Sequence, residues 1–172
     1  MNPAAEESRS PVSVQKTITV NTSLQRAFDV FTKDLGAWWP LRYHIACEPM
    51  QTAIIEPRVG GRFFERGADH SECDWGHVRV WEPPHRLVFS WEISSEWKPE
   101  ENSQAEVEVR FLSQGPNTTR VDLDHRHLDW YGDHAEMIRS TVDSDQGWPL
   151  VLREFAAAAN RVEISPEETH LR

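Results

Sequence analysis

The stretch DQGWPLVLREFAAAANRVE, from Asp145 to about Glu163, constrains the fold more than any other. Its larger apolar residues fall at Trp148, Val151, Leu152, Phe155, Ala159 and Val162, the stripe of a helix with one buried face. Asp145 can cap its start, and Pro149 falls in the first turn, where a missing N–H costs little. Ala156 to Ala159 form a slim helical middle that lets another surface approach closely. A helix of this length after a long run of strands needs a sheet to lie on. The expected arrangement is a sheet wrapped around it with a cavity between.

The strands are legible upstream. Val12 to Val20 alternates Val12, Val14, Lys16, Ile18 and Val20 against Ser13, Gln15, Thr17 and Thr19, as a half-buried strand does. Thr22–Gln25 reads as a capping box for a helix with Leu24, Ala27, Phe28 and Phe31 on one face, ended by Gly36. The segment from Ala37 through Pro49 is too aromatic for a solvated loop; it either closes one end of the core or lines a mouth. Further strands are expected over 51–56, 62–66, 75–81, 87–93, 105–112 and 119–126, with a short helix around 134–139. Glu106 or Glu108 can pair with Arg120 across the last ladder. Tight turns imply antiparallel pairing, and one charged sheet face implies helices on the other face only. The fold class is α+β: a curved antiparallel sheet gripping a long C-terminal helix. Residues 12–163 form one domain, with loose tails at 1–11 and 164–172.

Composition excludes some functions. A formal net charge of −10 disfavours nucleic acid and anionic membrane surfaces. No run of about 18 apolar residues offers a membrane span, and the N-terminus lacks the apolar core of a signal peptide, so a cytoplasmic location is expected. Cys47 and Cys73 make no disulfide framework and read as reduced thiols, whose proximity the sequence leaves open. No Gly-x-Ser-x-Gly elbow or phosphate loop is present, and no cofactor is indicated.

Glu65 is two residues beyond Phe63 and falls on the same strand face. A carboxylate facing an apolar cavity is costly unless paired. The alternative is that a bulge at Gly60–Gly61, or the strand end near Gly67, returns it to water. His125 continues the inward set Thr119, Val121 and Leu123, with His127 on the same face if the strand persists. Two such imidazoles can ligate zinc only with further ligands, so polar structural histidines are the simpler reading and no metal is expected. Acid–base work by Glu65 and His125 needs the two to meet. Eight tryptophans favour a pocket that stacks a flat or apolar ligand. Its expected wall is Trp39, Tyr43, Phe63, Glu65, Phe89, Trp91, Phe111, His125, Trp148 and Leu152. Trp81 and Phe64, if they fall on the outer sheet face, make a homodimer patch.

Several pieces together resemble a known family. They are Val14–Val20 leading into Ala27-Phe28, Trp38-Trp39-Pro40, Glu56-Pro-Arg-Val-Gly-Gly-Arg-Phe63, Trp75-Gly-His-Val78, Glu82-Pro-Pro-His-Arg-Leu-Val-Phe-Ser-Trp91, Thr118–Val121 and Gly147-Trp148 with Leu152 and Phe155. In this order they resemble the START-like (SRPBCC, Bet v-type) superfamily over about residues 12–162, in the subgroup of bacterial homologues of the C-terminal domain of the heat-shock protein 90 ATPase activator. The resemblance implies a helix-grip fold with a hydrophobic cavity. It does not imply one function, because members bind apolar ligands, act as cyclases or hydrolases, or assist a chaperone. The co-chaperone role belongs to eukaryotic members with an additional N-terminal domain, which is not expected in a sequence of 172 residues, so that role is not expected to carry over. The function expected is binding of a small apolar or aromatic molecule. The alternatives are a cavity enzyme using Glu65 and His125, and a chaperone-associated interaction module.

Overall fold

The computed structural model describes residues 12–161. The tails expected at 1–11 and 164–172, and the helix end at Val162 and Glu163, lie outside the described residues. The first strand, β1 (Val14–Val20), buries Val14 and Val20 and exposes Gln15, Thr17 and Thr19. In α1 (Leu24–Thr32) the cap is Ser23, whose hydroxyl accepts from the Arg26 N–H at 3.2 Å, one residue later than expected. Thr22, in place of a cap, is tied to the last strand: its carbonyl accepts the Thr119 hydroxyl at 3.0 Å. Gly36 does not end α1 but sits inside α2 (Leu35–Trp38). A Cβ there would lie 2.1 Å from Thr52 Oγ1, so glycine lets α2 rest on β2 (Met50–Ile55).

The remaining strands are β3 (Arg62–Gly67), β4 (Glu72–Glu82), β5 (Arg86–Ser90), β6 (Glu106–Gly115) and β7 (Thr118–Arg126). All pair antiparallel in one curled sheet of order β1-β7-β6-β5-β4-β3-β2. β4 starts at Glu72 rather than Trp75, because Cys73 and Asp74 pair with Glu65 and Phe64. Two irregularities in β4 change which side chains face the core. The register moves from Phe63↔Gly76 to Phe64↔Asp74, leaving Trp75 as the extra residue. It moves again from Val78↔Phe89 to Val80↔Val88, leaving Arg79. Such bulges re-aim the side chains around them. The second turns Trp81 inward, opposite Leu87 and edge-on to Phe28 at 5.2 Å. Phe64 does face outward, but it is buried beneath the Arg62 guanidinium at 4.0 Å and near that of Arg66 at 5.7 Å. Trp81 and Phe64 therefore do not form the apolar patch expected for a homodimer.

The outer sheet face is charged, with different partners from those expected. Glu106 binds Arg126 at 2.8 Å and Arg79 at 2.9 Å, and Glu108 binds Arg110 at 2.7 Å and Arg86 at 2.8 Å. Arg120 lies opposite Leu112 and pairs with Asp122 instead. Burial works against a charged Glu108, but the guanidiniums of Arg110 and Arg86 outweigh it and hold its carboxyl below the ordinary range.

After β7 a 3₁₀ segment (Leu128–His134) leads into α3 (Ala135–Asp143) and α4 (Trp148–Ala159). α4 begins at Trp148, three residues later than Asp145, with Pro149 in its first turn. Its expected stripe, Trp148, Val151, Leu152, Phe155 and Ala159, is buried against the sheet side of the molecule, where α4 meets α1, α2, α3 and β1. No helix among the described residues is long and apolar enough to cross a membrane.

Candidate functional site

A cavity of about 310 Å³ lies between the concave sheet face, the segment 39–45 and the α3–α4 junction. That is near the lower end of the roughly 300–1,000 Å³ usual for small-molecule sites. Five tryptophans line it: Trp39, Trp75, Trp91, Trp97 and Trp148. Tyr43, Ile45, Ile93, Val142 and Val151 complete the apolar wall, and Arg42, His44, Thr141, Ser144 and Gln146 supply its polar groups.

The local structure fixes three of the indoles by their N–H groups. Trp39, just after α2, donates to the Tyr43 carbonyl at 2.9 Å. Trp75, at the bulge, donates to Glu65 Oε1 at 2.9 Å. Trp148, opening α4, donates to His125 Nδ1 at 3.0 Å. Their rings then meet one another, with centroids 5.3 Å apart for Trp39–Trp75, 6.3 Å for Trp39–Trp148 and 5.7 Å for Trp91–Trp148. The donors that would otherwise demand polar partners are satisfied inside the wall, so mainly ring surface faces the cavity.

Two polar side chains brace this wall from behind. Glu65 is 1% exposed and faces the core side, not water. Its Oε1 accepts from three donors: Ile45 N–H at 2.7 Å, Ala46 N–H at 3.0 Å and the Trp75 indole. This clamps the segment 42–46 onto β3. Its Oε2 has no hydrogen bond and lies 3.6 Å from His44 Nδ1, which is likewise buried and unpartnered. His125 is fully buried, with Trp91 4.8 Å from its ring centroid. Burial pushes its pKa down to about 3, so the imidazole is neutral. Because Nδ1 accepts from Trp148, the proton sits on Nε2, which has no partner.

The residues expected at the site separate into three groups. Trp39, Tyr43, Trp91 and Trp148 line the cavity. Glu65 and His125 stand behind it, each bonded to a lining tryptophan; no hydrogen bond or ion pair joins them to each other among the described residues. Phe63, Phe89, Phe111 and Leu152 fill the core instead. Phe63 packs on Phe89 at 4.7 Å, Phe111 packs on Phe28 at 5.1 Å, and Leu152 is buried in the α4 stripe. His127 does not share the His125 face: the chain turns left-handed there (φ 61°), half exposes it and sets it 3.5 Å from Glu106. Among the described residues no group of three or more His, Cys, Asp or Glu can hold a metal ion. Cys73, opposite Glu65, has a thiol pushed up to about 11, first by burial and then by Glu65 and Asp74, which leaves it little nucleophilic character. Arg42, His44, Trp75 and Trp97 were not expected at the wall. Only the aromatic density of residues 37–49 pointed towards the first two.

Comparison with known proteins agrees with this architecture. A family model described as Activator of Hsp90 ATPase homolog 1-like protein matches residues 21–160. Comparison with curated proteins finds no match. Among solved structures, the anthrahydroquino-γ-pyrone synthase Txn09, complexed with SUM, is 34% identical, with a TM-score of 0.60 over 85% of this chain and 96% of that one. CalC from Micromonospora echinospora, a self-sacrificing resistance protein, is 26% identical, with a TM-score of 0.62 over 93% and 97%. Protein NE0264 from Nitrosomonas europaea, at 10% identity and a TM-score of 0.59 over 86% and 93%, shares the fold alone. The chain belongs to the Activator of Hsp90 ATPase homolog 1-like protein family, within the START-like (SRPBCC, Bet v-type) superfamily.

Proposed function

We propose that this protein binds a flat aromatic molecule in the cavity between sheet and α4. The observation that carries the reading is the five-tryptophan wall, with three indole N–H groups tied back into the protein and ring faces left for stacking. The name of the 34% identical relative, a synthase of an anthrahydroquino-γ-pyrone, supports a fused-ring ligand. The test is quenching of tryptophan fluorescence by 2-(hydroxymethyl)anthraquinone. Saturable one-to-one quenching is expected, weakened strongly by Trp91→Leu in a protein that keeps its circular dichroism. Absence of saturable quenching across a panel of two- and three-ring aromatics overturns the reading.

A second reading, catalysis on the bound ligand, is favoured by one observation: Glu65 Oε2 is an unpartnered acceptor directly behind the wall. Of the acid–base pair expected from the sequence, this reading keeps Glu65 alone, because an imidazole neutral down to about pH 3 does not take up a proton near neutrality. His44, whose Nδ1 lies 3.6 Å from Oε2, is itself a lining residue and stands between this carboxylate and the other lining groups of the site in contact order. Glu65→Gln preserves the Oε1 acceptor, so a folded, ligand-binding but inactive variant is expected; full turnover by that variant removes the role.

A further inference from the structure

Among the described residues that line the cavity, one carries a fixed charge: Arg42 is the only lysine or arginine there, and none is an aspartate or glutamate. This contrasts with a chain whose formal net charge is −10. Arg42 lies at the exposed rim, beside Tyr43 and across from Gln146 at the start of the α4 turn.

Its guanidinium is only lightly engaged. Nη2 makes two long contacts, 3.3 Å to Gln146 Oε1 and 3.5 Å to Tyr43 Oη, and the group lies 5.1 Å from the Tyr43 ring centroid. Among the described residues no carboxylate lies within ion-pair distance of it. The outer-face arginines differ: Arg62, Arg86, Arg110 and Arg126 are each taken up by Glu or Asp. A guanidinium has five N–H donors in a planar fork that matches a carboxylate two-on-two. Held at the mouth of an aromatic cavity with most donors uncommitted, it suits a planar anion attached to a ring system inside. It also offsets locally the repulsion that an anion meets from an acidic protein.

We infer that the ligand is an aromatic acid, whose rings stack among Trp39, Trp91 and Trp148 and whose carboxylate is held at the rim by Arg42. This rests on the reading of the cavity as an aromatic-ligand site and adds the ligand's charge and its direction of entry. The acidic end stays outermost, and the apolar end faces the wall braced by His125 and Glu65.

The test compares anthraquinone-2-carboxylate with its primary carboxamide, which has nearly the same shape and no charge. The wild-type protein is expected to prefer the acid by roughly tenfold, the range of a charge-assisted pair at a partly exposed site. Added salt should weaken the acid and leave the amide unchanged. Arg42→Gln should abolish the preference by weakening the acid much more than the amide, whose oxygen makes only a neutral hydrogen bond at the rim; Arg42→Lys should restore part of it. Equal wild-type affinity for acid and amide, or an equal loss of both in Arg42→Gln, overturns this inference while leaving aromatic binding in place. Binding of neither compound overturns the cavity reading itself, and this inference with it.

Discussion

His125 should make the protein acid-sensitive in a defined window. In the unfolded chain its pKa is near 6.5; in the folded protein burial lowers it to about 3. Above the unfolded value the imidazole is neutral in both states and contributes no pH dependence. As pH falls below 6.5 the unfolded chain takes up a proton that the folded protein refuses, so stability is lost progressively towards pH 3. The refusal has a visible cause: protonating Nδ1 would end its bond from the Trp148 indole, and the charge would sit among Trp91 and Trp148 with no counter-ion among the described residues. By linkage the loss is about 1.4 kcal/mol per pH unit well below the unfolded pKa, or about 2 kcal/mol between pH 7 and pH 5. Urea unfolding of wild type and His125→Gln across that range isolates it, because the remaining histidines contribute equally to both and cancel in the difference. The wild-type curve should fall more steeply by about 1.4 kcal/mol per unit near pH 5. If His125→Gln does not fold, nitrogen chemical shifts of the wild-type ring give the same answer. Parallel pH dependences, or a ring that titrates near 6.5 in the native state, would refute the reasoning.

Glu65→Leu should be far more damaging than Glu65→Gln, because it strands the Ile45 and Ala46 N–H groups and the Trp75 indole. Three orphaned donors at about 1–3 kcal/mol each predict a loss of at least 3 kcal/mol in chemical denaturation, whereas Gln keeps an acceptor; equal losses would contradict the bracing role. Gly76→Ala places a Cβ 1.7 Å from the Ser90 carbonyl oxygen, a backbone atom that cannot step aside without parting β4 from β5. At about 3 kcal/mol, the upper end of core overpacking, it should lower the thermal midpoint by about 6–12 degrees, and a midpoint within about two degrees of wild type would argue against that close approach. Cys73 should react with a maleimide much more slowly than exposed Cys47 near neutral pH, given its raised pKa; comparable rates by mass spectrometry would count against its half-buried setting.

Periodicity carried much of the fold. The alternation of Val107, Val109 and Phe111 and of Thr119, Val121, Leu123 and His125 describes strand faces that the structure keeps, and the α4 stripe is buried as spaced. What escaped follows from local breaks in period. A bulge adds one residue, and a two-residue repeat read through it puts later side chains on the wrong face. That is why Trp81 looked outward and why Trp75 was not placed at the wall. Phe63, Phe89 and Phe111 face inward as the alternation requires, but inward includes both core and cavity, and only the position of α4 divides them. Arg42 and His44 lie in a segment without repeating structure, fixed by Glu65 from another strand, a contact that no spacing along the chain encodes.

The central claim, an aromatic ligand held among particular tryptophans, is tested most directly by the indole N–H signals of the protein in a nitrogen–proton correlation spectrum during titration with 2-(hydroxymethyl)anthraquinone. Of the eight tryptophans, the five at the cavity, Trp39, Trp75, Trp91, Trp97 and Trp148, should shift together and saturate. Trp38, Trp81 and Trp130, which lie outside that wall, should move least. No saturable shift, or shifts concentrated at Trp81 and Trp130, would contradict the account.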